Sequence, residues 1–287
     1  LFGVAFGISL AVLLLHPFPP QTRVGTLELT AIDVGQGDSL LAVSPAGSTL
    51  LIDTGGIPGF NARGDSAPSF DIGEEVVSPY LWSRSIRHLD VVAITHPDAD
   101  HAGGLPAILQ NFRPRELWMG GELPAETIEL AKNLGVTVRR PRGGDSFDWD
   151  GATIDIIAPP SQSNGEKTNN RSLVMRLTYG RHSFLLTGDV ERGGEYQMLD
   201  SGRLGPATVL KVAHHGSKTS TMPEFLEAVR PAMAVVSVGR DNNYGHPHPD
   251  VMARLKENHR QILRTDQRGL VSFWTNGRYL ESETRLW

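Results

Sequence analysis

The chain has 287 residues, 39% hydrophobic and 21% charged, with 31 glycines and 19 prolines; this is a globular composition that excludes coiled coils, collagen-like repeats and disordered tails. Its 27 basic against 32 acidic side chains give a formal charge of −5, which argues against gripping nucleic acid by bulk charge alone. There is no cysteine, so disulfides, thiolate-held zinc, iron–sulfur clusters and thiol catalysis are excluded, and any metal must be held by His, Asp, Glu or Asn.

Residues 1–15 (LFGVAFGISLAVLLL) are almost wholly apolar, and no charge precedes Arg23. Spanning a bilayer takes about 20 apolar residues. We read residues 1–23 as the end of a transmembrane helix, stopped by Pro17, Pro19 and Pro20, and a short linker, the alternative being a buried core helix, with residues 24–287 as one soluble domain. From there, strands and helices alternate. Three strands (26–34, 38–43, 48–54) precede a helix over 74–85 that Pro79 is expected to interrupt. A largely apolar strand (89–96), a helix (105–112), a strand (116–120) and a helix (124–135) follow. Hairpins are expected over 147–159, turning at Asp150-Gly151, and over 172–189, turning at Tyr179-Gly180. A helix (191–200), strand (207–214), helix (223–229), strand (232–239), helix (249–258) and an Asn276-Gly277 hairpin end the chain. Two groups of strands, each followed by helices, imply two sheets packed face to face with helices outside. The segments 55–73 and 161–170 read as long loops.

The strongest chemical signal is THPDADHAGG (95–104), which puts His96, Asp98, Asp100 and His101 within six residues at the end of an apolar strand. Imidazole and carboxylate in that density suit a divalent metal when sulfur is absent. Three other strand ends carry the same residue types: Asp53 in IDTG, Asp189 in TGD, and His214-His215 in KVAHHGS. Each is weak alone, since a strand-end Asp usually forms a turn. His16, His88, His182 and His259 have no such setting and are assigned to surface or packing.

The order IDTG, HxDxDH, TGD and a late His resembles the metallo-β-lactamase superfamily. More narrowly, DVGQGDSLL (33–41), THPDADHAGG, NNRSLVMRL (169–177) with SFLLTGDVE (183–191), LKVAHHGSKTS (210–220) and YGHPHPDVM (244–252) resemble the C-terminal domain of the ComEC family, the membrane DNA channels of bacterial competence. The resemblance covers roughly residues 26–278 and implies an α/β fold of the αββα sandwich type over a hydrolase domain at 24–287. It implies His96 and Asp98 as ligands of one metal, Asp100 and His101 as ligands of a second, Asp189 bridging both, and His214 or His215 completing the second site. The usual motif is HxHxDH, so Asp98 stands where a second His is common, and Asn169-Asn170 occupies the neighbourhood of a further missing His. An oxygen-rich first site favours Mn²⁺ or Mg²⁺ relative to Zn²⁺, and two divalent ions, Mn²⁺ or Zn²⁺, are expected in all.

With no Ser or Cys nucleophile beside a His, a metal-activated water is the attacking group this residue set supports. Asp100, Asp189, His246 and His248 are the residues expected to carry the chemistry, the last two contacting substrate or protonating a leaving group. Asp33 and Asp38 are expected to support turns and ligands, and Lys211 to be structural or to meet phosphate. Asn170, Arg171 and Lys218 join His246 and His248 as expected substrate contacts, with Arg139, Arg140, Arg142 and Arg176 as further cations. The resemblance implies a nuclease acting on single-stranded DNA at the extracytoplasmic face of the bacterial cytoplasmic membrane. It would degrade the non-transported strand beside the channel portion of the same full-length chain and other DNA-uptake proteins. The alternatives are another hydrolase on this fold, such as a phosphocholine esterase or lactonase, or a non-catalytic domain that guides DNA.

Overall fold

A computed structural model describes residues 2–15, 18–58, 70–159, 168–257 and 261–286. The expected loops fall largely on 59–69 and 160–167, which lie outside the described residues, as do His16 and His259. Six strands begin one sheet: β1 (Leu27–Ala31), β2 (Leu40–Val43), β3 (Thr49–Ile52), β4 (Val91–Ile94), β5 (Glu116–Met119) and β6 (Thr137–Arg139). The next seven build another: β7 (Ser146–Trp149), β8 (Ala152–Ala158), β9 (Val174–Tyr179), β10 (His182–Leu186), β11 (Val209–Lys211), β12 (Met233–Val236) and β13 (Gln261–Arg264). The chain then returns to the first sheet with β14 (Leu270–Thr275) and β15 (Leu280–Arg285). Spatial order is β15-β14-β1-β2-β3-β4-β5-β6 in one sheet and β13-β12-β11-β10-β9-β8-β7 in the other.

Side chains alternate across each strand, and that parity sorts them into layers. Leu27, Leu29, Leu40, Ala42, Leu50 and Ile52 point into the core between the sheets, where they meet Met175, Leu177, Phe184 and Leu186. Their neighbours Leu41, Val43 and Leu51 face the opposite way, onto α2 (Ser78–Ser83), α4 (Leu105–Phe112) and α5 (Ala125–Asn133). Val174, Leu185 and Leu210 likewise face α6 (Arg192–Asp200), α7 (Pro223–Val229) and α8 (Pro249–Lys256). The result is the expected αββα sandwich. Phe184 and Phe273, one from each sheet, meet in its middle with ring centroids 6.2 Å apart.

Three local expectations need correction. Pro79 does not interrupt a helix: it sits in the first turn of α2, where no backbone N–H is required of it, after a π-turn over Gly73–Val77. The second hairpin turns at Gly180-Arg181, because Tyr179 pairs with His182. Strand 207–214 stops at Lys211, and the backbone then enters a tight turn. The N-terminal helix α1 (Phe2–Leu15) carries no charge, and the side chains described on it are exposed. Among the described residues no helix is long and apolar enough to cross a membrane. The linker after it is fastened to the domain: Arg84 donates to the Gln21 carbonyl at 2.6 Å, and Arg23 lies 3.9 Å over the Trp274 ring.

Candidate metal centre

Strands β3, β4 and β5 run parallel in one sheet, and β10, β11, β12 and β13 do so in the other. Their carboxyl ends meet, and every expected ligand lies in the turns just beyond them, where open parallel sheets place their ligands. His96 and Asp98 follow β4, and the short helix α3 (Ala99–Ala102) carries Asp100 and His101. Asp98 occupies the N-cap of α3, yet its carboxylate caps nothing and stands 3.6 Å from His96 Nε2. Asp189 follows β10, and His214 and His215 follow β11 with φ of 50° and 52°. Two consecutive residues in the left-handed region store of order 1–3 kcal/mol each, a strain usually met at functional sites.

Asp100, His101, Asp189 and His215 each present a ligand atom, all within 4.8 Å of one another. Asp189 Oδ1 is 3.3 Å from His101 Nε2, while its Oδ2 is 3.4 Å from His215 Nε2 and 3.7 Å from His214 Nε2. Asp100 Oδ2 lies 3.3 Å from His215 Nε2. The His96 and His101 rings are tilted by 52° with centroids 4.1 Å apart, which puts His96 and Asp98 beside this group. Of the two late histidines, His215 is the buried member of the cluster. His214 stands at its rim, with Nδ1 3.4 Å from Thr219 Oγ1 and 3.7 Å from Glu191 Oε1. Glu191 went unread in the sequence, although it stands two residues after Asp189.

The hydrogen bonds behind the cluster fix its tautomers. Asp53 accepts from the Thr95 N–H at 2.7 Å, from Thr95 Oγ1 at 2.8 Å and from His101 Nδ1 at 2.8 Å. Because Thr95 spends its one hydroxyl proton on Asp53, its oxygen accepts from His96 Nδ1 at 3.1 Å. His215 Nδ1 donates to the Ser237 carbonyl at 2.9 Å. All three rings therefore carry hydrogen on Nδ1 and turn Nε2 into the site, the arrangement that metal-binding histidines use. Those three Nε2 atoms and Asp189 Oδ1 are buried without any hydrogen-bond partner. Orphaned buried nitrogens converging on carboxylates fit a divalent cation.

Charge points the same way. Asp38, Asp53 and Asp189 are at most 2% exposed, and the one ammonium among them, Lys211, is fully buried and paired with Asp38. Lys211 is thus structural and does not reach a substrate phosphate. Asp38, Asp53 and His101 also lie close together, but the Lys211 ammonium and the His101 N–H already fill the positions a cation would take. In the metal-free protein, burial pulls the His215 pKa down, but Asp189 and Asp38 outweigh it and push it up to about 10. Burial likewise opposes His101, and Asp189 and Asp53 hold it well above its ordinary value. Asp100 falls to about 2 despite burial, through its 3.3 Å contact with His215 and the charge of His101. The site holds protons where it would otherwise hold cations.

Glycines in DVGQGDS and IDTGG let this assembly close. A side chain at Gly37 would put its first carbon 2.4 Å from the Asp100 carbonyl, which instead accepts the Asp38 N–H at 3.1 Å. At Gly56 the corresponding carbon would lie 1.9 Å from the Ala99 carbonyl.

A cavity of about 590 Å³ opens above the cluster, lined by Asp98, Asp100, Asp189, His214, His215 and His246 among others. His246 packs edge-on against His214, and burial, then His214 and His215, lower its pKa to about 4. His248 is placed elsewhere: its Nδ1 accepts the Asp250 N–H at 3.2 Å and caps α8, and it is not among the cavity-lining residues. Asn170 uses Oδ1 to accept the N–H groups of Glu191 and Gly194 at the start of α6. With Arg192 and Lys218 it lines a separate shallow groove that abuts the rim through Glu191. Arg171 is half-buried, and its charge assists Arg140 in lowering the Glu122 pKa. Arg139 and Arg140 are engaged by Glu116 and Glu122. Arg176 donates to the Gly205 carbonyl.

This fold with this ligand set defines a class, and the comparison with known families agrees: the metallo-beta-lactamase superfamily matches residues 32–240, and the chain belongs to it. Among curated proteins it is 33% identical over 279 residues, 94% of the chain, to ComE operon protein 3 of Bacillus subtilis (strain 168). It is 31% identical over 270 residues, 92% of the chain, to Competence protein ComA of Neisseria gonorrhoeae. These relatives bear out the ComEC-family resemblance seen in the motifs. The matches occupy 36% and 35% of those proteins, so the chain spans about a third of their length. The crystal structure of the metallo-beta-lactamase fold protein YhfI from Bacillus subtilis aligns with a TM-score of 0.52 at 12% identity, over 90% of this chain and 100% of that one, which shows the shared fold.

Proposed function

We propose that this chain is the metal-dependent nuclease domain of a DNA-uptake channel, hydrolysing phosphodiesters of the strand that is not transported, at the outer face of the bacterial cytoplasmic membrane. One observation carries the hydrolase part: three histidines with Nδ1–H anchored to the protein and buried Nε2 atoms, without hydrogen-bond partners, facing Asp98, Asp100 and Asp189. The competence-protein relatives support the DNA part.

Asp100, His101, Asp189 and His215 would hold one divalent cation, and His96, Asp98 and Asp189 a second, with Mn²⁺ or Zn²⁺ as the candidates. Such a pair supplies an activated water and neutralises the phosphate and its leaving oxygen. The protein's own part is to hold the ligands in register through Asp53, Thr95 and the Ser237 carbonyl, and to aim the rim rings His214 and His246 at substrate oxygens. Arg192 and Lys218, in the groove beside the rim, would carry the backbone of a strand leaving the cavity, with Asn170 and Arg171 flanking it. A non-catalytic guide would have no use for three orphaned imidazole nitrogens.

The test is the metal content of the purified domain, followed by digestion of end-labelled single-stranded DNA with Mn²⁺ or Zn²⁺ added. Metal-dependent shortening of the strand is expected. Bound metal with intact DNA under both ions would overturn the nuclease reading while leaving the hydrolase class standing.

A further inference from the structure

One aromatic side chain at the cavity mouth has no part in the metal chemistry. Tyr244 is 55% exposed and lines the same cavity as Asp100, Asp189 and His215. Its ring lies nearly parallel to that of His246, with centroids 6.0 Å apart at 26°, and His246 in turn meets His214 at 5.7 Å. A series of rings therefore steps from solvent to the metal ligands.

The loop that presents Tyr244 is braced by a single side chain. Asn242 Nδ2 donates to the carbonyls of Gly239 at 3.0 Å and His246 at 2.7 Å, while its Oδ1 accepts the N–H groups of Tyr244 and His246, both at 3.1 Å. An aromatic ring held at the mouth of a polar cavity by four hydrogen bonds to its loop is preorganised for contact. The wall of the cavity contributed by Pro97, Leu123 and Pro124 is apolar. Among the described residues no Lys or Arg lines this cavity, and Asp98 and Glu126 are acidic. Inside the cavity no cationic side chain grips the phosphates, as Arg192 and Lys218 would in the neighbouring groove, so side-chain binding within it falls to the bases.

We infer that Tyr244 and the apolar wall of the same cavity form a nucleobase subsite, with Tyr244 the stacking platform for the base adjoining the scissile phosphate. The inference rests on the nuclease reading and deepens it. Stacking of this kind accepts every base, because each has a π-face, and so gives binding without sequence preference.

Removing such a platform costs about 1–3 kcal/mol per base, or roughly 5- to 150-fold in affinity. The probe is a fluorescein-labelled oligothymidylate with phosphorothioate linkages, measured by anisotropy against the full chain with Mn²⁺, alongside cleavage of the ordinary phosphodiester oligonucleotide. Tyr244→Ala should weaken binding and raise KM within that range with kcat little changed, and Tyr244→Phe should behave as wild type. An oligonucleotide with abasic sites should bind wild type as poorly as Tyr244→Ala binds the intact one, and the two losses should not add. Full-strength binding of oligothymidylate by Tyr244→Ala, in a protein whose wild type binds and cuts it, would refute the subsite and leave the nuclease standing. Failure of wild type to bind or cut any strand would overturn both.

Discussion

Asp189→Asn is the most direct challenge to the proposed centre. Asp189 is 2% exposed, and its two oxygens face different partners, Oδ1 toward His101 and Oδ2 toward His214 and His215. Burial alone would raise its pKa, but His215 and His101 hold it well below the carboxylate range, so it is an anion at all working pH values. The amide keeps the volume, removes one negative charge, and puts an N–H₂ group, which cannot ligate a cation, in place of one carboxylate oxygen. Loss of a residue that merely supports a ligand costs about 10- to 100-fold in metal affinity. Asp189 is placed to touch the ions themselves, so about 100-fold, or about 2.8 kcal/mol, is the least expected. Calorimetric titration with Mn²⁺ and Zn²⁺ measures the affinity, and elemental analysis after dialysis measures retained metal. Circular dichroism of the metal-free variant checks that the fold survives. A folded Asp189→Asn with wild-type metal content and affinity would refute the reading of this carboxylate as the shared ligand.

Asp98→His restores the commoner HxHxDH pattern beside His96 and should move the preference from Mn²⁺ toward Zn²⁺ without loss of fold, as read by competitive metal titration. Asp53→Asn keeps a residue that tolerates the φ of 58° found there, but releases the His101 tautomer; metal affinity should fall about 10- to 100-fold while the melting curve moves little. The His215 pKa is raised, so in the metal-free protein its ionic contribution to stability is complete below its ordinary value of 6.5 and is lost as pH climbs toward about 10. Urea unfolding in EDTA should therefore show falling stability between pH 7 and 10, and a flat profile would contradict the ion pairs drawn here. Metal uptake should release protons over the same interval, measurable as buffer-dependent heats.

The layers of the fold were legible because β1, β2 and β3 alternate between two apolar faces, a period that survives in the amino-acid order. Strands β6 and β13 were not, since Thr137–Arg139 and Gln261–Arg264 are short, partly exposed and polar at their ends, and hold their places by pairing with β5 and β12. The ligand turn was visible because four of its residues are nearly contiguous. The choice between His214 and His215 was not visible, because adjacent residues in extended chain diverge; only their left-handed backbone brings both to the site, one buried and one at the rim. Asn242 escaped notice for a related reason. Its partners are backbone groups, and backbone carries no sequence.

The proposed ligands come from both sheets: His96, Asp98, Asp100 and His101 from the turn after β4, Asp189 and His215 from the turns after β10 and β11. A bound ion would therefore act as a rivet through a seam. At a thousandfold excess over its dissociation constant, a ligand of the folded state alone adds about 4 kcal/mol by mass action. Here that gain would fall at one end of the sandwich, so amide exchange should slow beyond β4, β10 and β11 and stay unchanged at the distant Asp150-Gly151 and Asn276-Gly277 turns. How long the mouth of the cavity keeps its shape would then be set by the residence time of the cation, not by the packing of the core.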